Sequence, residues 1–476
     1  MQFINARPEF KVYQDSMVAG ATLYYNGIFD QSIDSVFKTL DAGGFPTGLR
    51  GNFAFVFQNE KRVVGAVDHA PNINLFYTDS YVCHIFLNVD DLTTKQQYAP
   101  VVNQRWLFWG GSVGQRTSNP DILRLEAGTY FEKDLESNDI SIHTYIDLHT
   151  HHRDPSITVG DIADITEQII EEQTREPFNL LWSSGTDSNC ILGFIRKLNR
   201  TDNCQLISLY SEASITDERP QCKYLEGVYG LEAEYKNLGK YVGITDEIVS
   251  RFRSEAESEA YKKNFQRTWR GFWYEPNVFQ KYTTLYDMGV HTKPTFTGEV
   301  GDQIFGSRFG KLLLNYLSHV PNPTNDDIGE LFASADAFRF KRAATIQYPC
   351  WIKSLENNAG RNAGWNEAKS WISQKWKEID TDGDIVNKAE LLQYLYKGSH
   401  RVFNYGQLID CDFRHPFTDY RLFHTVFKTP GHWKITNGKT RRLSLNIINN
   451  FVDAGPWTWA KSGIQLSMQQ TYKPVK

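Results

Sequence analysis

Between residues 178 and 198 the chain passes from a short apolar run, through six small or polar residues, into an amphipathic stretch. The run 178–182 reads as a buried strand and 188–198 as a helix. Similar pairs follow. A strand at 205–210 precedes a helix at 220–229 that Gly230 would end. Further strands are expected at 233–238 and at 294–297, the latter followed by a glycine-containing turn and a helix. Strands alternating with helices imply a parallel sheet covered by helices, because each parallel connection must cross over the sheet.

The six residues between the first strand and its helix are Ser183, Ser184, Gly185, Thr186, Asp187 and Ser188. A helix entered through small residues presents free backbone N–H groups, and together with the helix dipole these favour an anion. Small side chains let a phosphate approach the backbone, and hydroxyls add donors. Asp187 would repel a phosphate, so its presence makes sense if it holds a Mg²⁺ ion that the phosphates share. A helix start with no ligand is the plain alternative. The lysine of a Walker A loop is missing.

The chain has 476 residues, enough for two or three domains. Residues 1–148 hold β-branched and aromatic runs separated by Gly, Asn and Asp, with one short helix at 32–40, and read as an antiparallel sheet domain. Residues 149–160 are polar, contain Pro155 and suit a linker. Thr158 opens a capping-box-like signal, and Ile162, Ile165, Ile169 and Ile170 supply the stripe of the following helix. Beyond 310 the texture is helical and tryptophan-rich. Aromatic clusters such as that at 269–276 read as packing.

Net charge is −5 with both signs interspersed, which argues against a nucleic-acid partner. No run approaches ~18 apolar residues, so no membrane span is expected. The start of the chain is unlike a signal peptide, which points to the cytoplasm. The six cysteines are dispersed with no C-x-x-C pair, and read as reduced core thiols. Two segments imitate metal motifs. His149 and His151 have the spacing of a D-x-H-x-H metal strand, but they fall at the expected domain junction with no barrel to follow. Residues 378–390 imitate an EF-hand around Gly383, but position one is Glu378 and position twelve is Ala389, so a junction between two helices is expected instead.

The hexapeptide 183–188 resembles the S-G-G-x-D-S pyrophosphate loop of enzymes that split ATP into AMP and pyrophosphate. It differs at Ser184, where those loops have glycine, and at Thr186, which is usually apolar. Residues 295–307, TFTGEVGDQIFGS, resemble the S-G-E-G-x-D-E-x-F-G-G segment of asparagine synthetases, with Gln303 in place of the second acid of its D-E pair. FRHPFTDYRL at 413–422 resembles the downstream R-x-P-F-L-D segment, and residues 216–238 resemble the helix and strand after the second core strand. All four stand in the family's order across residues 155–476. The chain thus resembles the asparagine synthetase-like family, which includes asparagine synthetase B, β-lactam synthetases and lasso-peptide cyclases.

That resemblance implies an α/β protein. An N-terminal Ntn-hydrolase-like αββα sandwich, in reduced form, would occupy 1–148. A C-terminal adenine nucleotide alpha hydrolase-like (PP-loop) domain, with a parallel sheet and a helical extension, would occupy 161–476 beyond a linker at 149–160. It implies ATP and Mg²⁺ as cofactors. ATP would adenylate a small-molecule or peptide carboxylate, pyrophosphate would leave, and ammonia or another amine would attack the acyl-adenylate. Ser183, Ser184, Gly185, Thr186 and Ser188 would hold pyrophosphate, and Asp187 and Asp302 the metal. Leu181 and Leu209 would flank adenine, with Thr297 and Gly298 near the nucleotide. Glu299 stands where asparagine synthetases carry glutamate and β-lactam synthetases tyrosine, and would take the amine's proton. Lys439 would be the catalytic cation. The family's lysine is followed by x-x-L-R, here reversed as Arg442 and Leu443, so Arg441 or Arg442 is an alternative. Lys461 resembles a later R-x-K-x-G element, with Trp459 in place of the arginine.

The glutaminase nucleophile of the family is a cysteine at position 2. Here that residue is Gln2, an amide that cannot replace a thiolate. Residues 51–78 still resemble the family's G-x-F-A-F … R-D-x-x-G-x-x-P-L-Y-Y run. Asn26 and Gly27 resemble its oxyanion-hole pair but come unusually early, and read as a turn. A working ligase without glutaminase activity is therefore expected. An intramolecular cyclase, a silent nucleotide-binding scaffold and, more weakly, a tRNA-modifying pyrophosphatase remain as alternatives. The acid, the amine and the oligomeric state are not readable, and a homodimer stays open.

Overall fold

The computed structural model describes residues 1–3, 10–83, 121–210, 218–237, 288–328, 361–397 and 412–452, apart from a few positions within those ranges. The chain divides into two compact units. One comprises 1–152, 259–274 and 313–401; the other comprises 153–258, 275–312 and 402–476.

In the first unit β1 (Gln2–Phe3), β2 (Lys11–Tyr13), β3 (Thr22–Phe29) and helix α1 (Ile33–Asp41) are followed by β4 (Gly51–Gln58) and β5 (Arg62–Val67). Then come β6 (Phe76–Tyr77), β7 (Tyr81–Cys83), β8 (Leu123–Arg124), β9 (Thr129–Asp134) and β10 (Ile140–Thr144). Six strands form an antiparallel sheet in the order β10-β9-β5-β4-β3-β2, and four form a mixed sheet in the order β1-β7-β6-β8. The pleat of β4 sorts its side chains. Phe53, Phe55 and Phe57 join Val36, Phe37 and Leu40 of α1 in one core. Ala54 and Val56 face the other way, into a core with Leu75, Tyr77 and Val82 of the smaller sheet region. A central strand covered on both faces is apolar throughout, which is why β4 and β5 read as runs rather than alternations. Each phenylalanine so buried contributes about 2–3 kcal/mol relative to exposure. Ser32 caps α1, its hydroxyl accepting from Ser35 N at 3.2 Å.

The turn expected at Asn26–Gly27 is not there. Both residues lie inside β3, opposite Ala54 and Phe53. Gly27 has φ of +103°, and a β-carbon on it would sit 2.0 Å from Asn52 O. The Asn-Gly pair reads locally as a turn, whereas here glycine serves a close backbone approach within a strand.

Two helices of the first unit, α7 (Arg361–Glu378) and α8 (Ile385–Lys397), flank the EF-hand-like segment, which is a junction between helices. Asp384 accepts from Asn387 N at 3.0 Å at the start of α8.

The second unit carries a five-stranded, wholly parallel sheet. Helix α2 (Val159–Gln173) enters through the capping box, Thr158 and Asp161 bonding each other's backbone amides. Then follow β11 (Phe178–Leu181), α3 (Thr186–Lys197), β12 (Cys204–Tyr210), α4 (Arg219–Tyr229) and β13 (Ala233–Asn237). Later come β14 (Thr295–Phe296), α5 (Gly301–Phe305), α6 (Arg308–Leu317), whose second half is counted with the first unit, β15 (Phe413–Arg414), α9 (Tyr420–Val426) and α10 (Arg442–Phe451). Gly230 ends α4 at φ +63°, in the left-handed conformation that suits glycine. The strand order is β13-β12-β11-β14-β15. The first three strands add in one direction and the last two in the other, so the order reverses between β11 and β14. At such a point two consecutive loops diverge beyond the strands' carboxyl ends and leave a crevice for ligands.

The fold is thus mixed α/β, with one parallel and two largely antiparallel sheets. No described helix is long and apolar enough to cross a membrane. Cys83, Cys190 and Cys222 are buried and Cys204 is partly buried. Cys350, Cys411 and the aromatic cluster at 269–276 lie outside the described residues.

Two glycines separate conformational need from mere tolerance. Gly27→Ala is expected to destabilise the protein by about 2–4 kcal/mol, since it adds both a positive-φ penalty and a backbone clash. Gly227→Ala, in α4 with open space around it, is expected to gain about 0.5–1 kcal/mol. Denaturant unfolding of both variants measures the contrast.

Candidate active site

The loop after β11 is braced from within. Asn189, fully buried in α3, donates to Ser183 O at 2.8 Å and Gly185 O at 2.7 Å. Its own Oδ1 accepts from Trp182 Nε1 at 2.9 Å. Ser183 Oγ accepts from Gly185 N at 3.1 Å, and Ser188 Oγ accepts from Ser183 N at 3.2 Å. The Ser188 hydroxyl is therefore turned back into the loop. Gly185 is the N-cap of α3 with extended φ and ψ and no side-chain cap. α3 begins two residues earlier than the expected 188, which places Thr186 and Asp187 in its first turn.

The loop after β14 closes against this one. Gly298 and Gly301 pack on Asp187: a β-carbon on Gly298 would meet Asp187 Cβ and Ser188 N at 3.0 Å, and one on Gly301 would meet Asp187 Cγ at 2.7 Å. A side chain at Gly301 would force a shift, and one at Gly298 would be tight. Between them Val300 has φ of +68°, a conformation a β-branched residue rarely adopts. Backbone strain of this kind costs about 1–3 kcal/mol and concentrates at ligand sites. Thr297 is buried, shares a 2.6 Å hydrogen bond with His415 Nδ1, and its hydroxyl accepts from Glu299 N at 3.2 Å.

A third segment supplies the charge. Arg441 is the N-cap of α10 in the left-handed conformation, at φ +59°. Its guanidinium bonds Asp302 Oδ1 through Nε at 2.8 Å and again through Nη2. Nη2 lies 3.4 Å from Asp187 Oδ2, and Nη1 donates to Thr186 Oγ1 at 3.3 Å. α10 packs on α3 and α2. Gly193 of α3 admits Val452 at the end of α10, where a β-carbon would come within 2.7 Å of it. Arg441 is thereby carried to the start of α3.

Asp187 is the electrostatic centre. Burial pushes its carboxyl up, to about 7, and the Asp302 and Glu299 carboxylates add to this while Arg441 opposes it. Burial also works against the charge on Arg441, but Asp187 and Asp302 outweigh it and hold the guanidinium above its ordinary value. Asp187 Oδ1 is buried without a hydrogen-bond partner among the described residues. The Asp302 side chain, 44% exposed, is open to solvent. An orphaned carboxylate oxygen beside a second, accessible carboxylate fits a hard divalent cation. Arg441 offsets part of the pair's charge.

Of the residues named from sequence, Ser183, Gly185, Thr186, Asp187, Ser188, Gly298, Glu299 and Asp302 come together here, with Thr297 just beneath. Leu181 ends β11, opposite Ile207, and Leu209 lies two residues further along β12. Ser184 is buried. Lys439 lies in an exposed turn, bridged to Thr436 by its backbone. The cation on the acids is Arg441. Lys461 lies outside the described residues. Sequence reasoning missed Trp182, Asn189 and His415. Asn189 could have been noticed as a polar residue on the buried side of an apolar helix.

The 413–422 segment proves to be a brace. Arg414 Nη1 donates to Gln173 O at 2.6 Å, at the end of α2. Asp419 caps α9, and Arg421 pairs bidentately with Glu172 at 2.7 and 2.9 Å.

A carboxyl raised by burial opposes folding above its unfolded value, so its cost appears as pH rises from the usual carboxylate range to about 7. Asp187→Asn removes that cost. The variant's stability relative to wild type should improve between pH 5 and 8, by about 1–3 kcal/mol in all. Paired thermal unfolding across that range is the measurement, and a gain that shrinks with pH would contradict the burial argument.

No family model matches the chain, and no curated protein does. Among solved structures, the glutamine-dependent NAD⁺ synthetase of Acinetobacter baumannii, solved with adenosine diphosphate, is similar at a TM-score of 0.20 and 12% identity. The similarity covers 37% of this chain and 30% of that one, so the chain spans under a third of its length.

Proposed function

We propose that the second unit is an ATP-dependent, amide-forming ligase of the asparagine synthetase-like kind. The observation that carries this is the meeting of the 183–188 loop with Glu299 and Asp302 at the point where the parallel strand order reverses. There a helix start with free N–H groups, two carboxylates and an arginine converge. The domain roles belong to the same reading: residues 1–148 as a reduced Ntn-hydrolase-like domain, residues 161–476 as the PP-loop synthetase, of which 259–274 and 313–401 fall in the first compact unit.

ATP would lie with its phosphates on the 183–188 loop. The backbone N–H groups of the first turn of α3 and the Thr186 hydroxyl would hold the pyrophosphate portion. Mg²⁺ held by Asp187 and Asp302 would neutralise charge on the phosphates. A substrate carboxylate oxygen attacks the α-phosphorus, and the bond to pyrophosphate breaks. The amine then attacks the acyl carbon, AMP leaves, and the amine's proton passes to Glu299. Arg441 would stabilise negative charge on the phosphates in the place first assigned to Lys439. The amine would be free ammonia, a product of another protein or part of the substrate.

A second reading, a silent nucleotide-binding scaffold, is favoured by Arg441 itself, because it already pairs with both acids. Two measurements separate them. Pyrophosphate release with a panel of acids and ammonium should fall by about 10²–10³-fold in Asp187→Ala and in Arg441→Met. Activity unchanged in Asp187→Ala would sink the ligase reading. In nucleotide-free protein Arg441 competes with a cation for the acid pair, so Arg441→Met should bind Mn²⁺ about tenfold more tightly by electron paramagnetic resonance titration. A weaker affinity in that variant would place the cation elsewhere.

A further inference from the structure

Two sequence segments that imitate metal motifs, 230 residues apart, are brought side by side in the first unit. Thr150 and Asp380 form an isolated parallel bridge. His151 N donates to Asp380 O at 2.9 Å, and Asp380 N donates to His149 O at 3.0 Å. His149 and His151 do not form the pair their spacing suggests. His151 is buried, its Nε2 3.2 Å from Leu148 O, and His149 sits in the neighbourhood of Lys375, Glu378 and Asp147. The next residue, His152, points to the aspartates instead.

His152 Nδ1 stands 2.7 Å from Asp382 Oδ1. One donor atom from each of His152, Asp380 and Asp382 lies within 4.8 Å of the others, and all three residues are exposed. The turn that presents the aspartates is well defined. Asp382 and Gly383 both have positive φ, Asp380 Oδ1 accepts from Asp382 N at 3.2 Å, and Thr381 Oγ1 donates to Asp384 O at 2.8 Å. Neighbouring acids are engaged elsewhere: Asp384 at the start of α8, and Asp147 with the amides of His149 and Thr150. An ion pair would account for His152 and Asp382. Asp380, with Lys388 in its neighbourhood, is carried to the same point by the backbone bridge.

We propose that His152, Asp380 and Asp382 bind a divalent transition-metal ion of the zinc type at the surface of the first unit. One imidazole nitrogen and two carboxylate oxygens suit zinc, cobalt or manganese, with water completing the shell. Calcium needs six to eight oxygens, and the EF-hand-like loop offers too few. Bonds of about 2.0–2.2 Å require donors about 3.3 Å apart, closer than the 4.8 Å limit within which these donors lie. The ion would clip residues 149–152 to the turn before α8. The site is independent of the ligase reading.

The test is a Co²⁺ titration of the full chain followed by visible absorption, with Zn²⁺ displacement. His152→Ala and Asp382→Asn are exposed changes, and circular dichroism confirms that each variant is folded. The expected result is a saturable one-equivalent cobalt spectrum that Zn²⁺ displaces and that persists in Asp187→Ala. Each of the two variants should weaken it about tenfold or more. The proposal is overturned if no saturable spectrum forms or if a thiolate charge-transfer band dominates. It is equally overturned if the signal disappears in Asp187→Ala or if both site variants bind as tightly as wild type.

Discussion

A carboxylate at the start of a helix is welcome to the helix dipole but expensive to take out of water. Asp187 is in this position. Two glycines press against it, one of its oxygens has no hydrogen-bond partner among the described residues, and a second carboxylate and a glutamate stand nearby. Such a group needs a positive charge. In the structure that charge is Arg441, shared with Asp302. Much of the second unit can be understood as the scaffold that brings these three side chains together.

Each element serves that meeting in its own way. β11 and β14 are adjacent parallel strands, so their loops leave from the same end of the sheet and face one another. Asn189 and Trp182 hold the first loop; Thr297 and His415 hold the second. Gly193 lets α10 close on α3, and a left-handed residue at its N-cap directs Arg441 inward. Val300 accepts a strained backbone so that Gly301 can face Asp187. Loops held by buried side-chain hydrogen bonds keep their shape.

Much of this was legible beforehand because it is local. The capping box at Thr158, the end of α4 at Gly230 and the strand–loop–helix of residues 178–197 depend on residues a few positions apart. The misreading of Asn26–Gly27 is equally local in origin. Asn26–Gly27 has turn chemistry, yet Gly27 is needed in mid-strand because the opposite backbone comes within 2.0 Å of where a side chain would begin. Lys439 has the motif position but lies in an exposed turn, whereas Arg441, the alternative two residues on, opens the helix that packs on α3. Two residues of spacing decide which cation meets the acids, and only the packing of α10 sets that register.

The sequence by itself determined the alternation of strand and helix, the free helix start at residues 183–188 and the absence of a Walker lysine. These follow from periodicity, small residues and the chemistry of single side chains. Only the tertiary structure decided that the order of strands reverses between β11 and β14, that Asp187 is buried against glycines from residues 298–301, and that its countercharge comes from residue 441. It alone also placed His152 beside Asp380 and Asp382. Burial and electrostatic pairing act through space between residues more than a hundred positions apart, and no pattern along the chain encodes which of many charged residues will be neighbours.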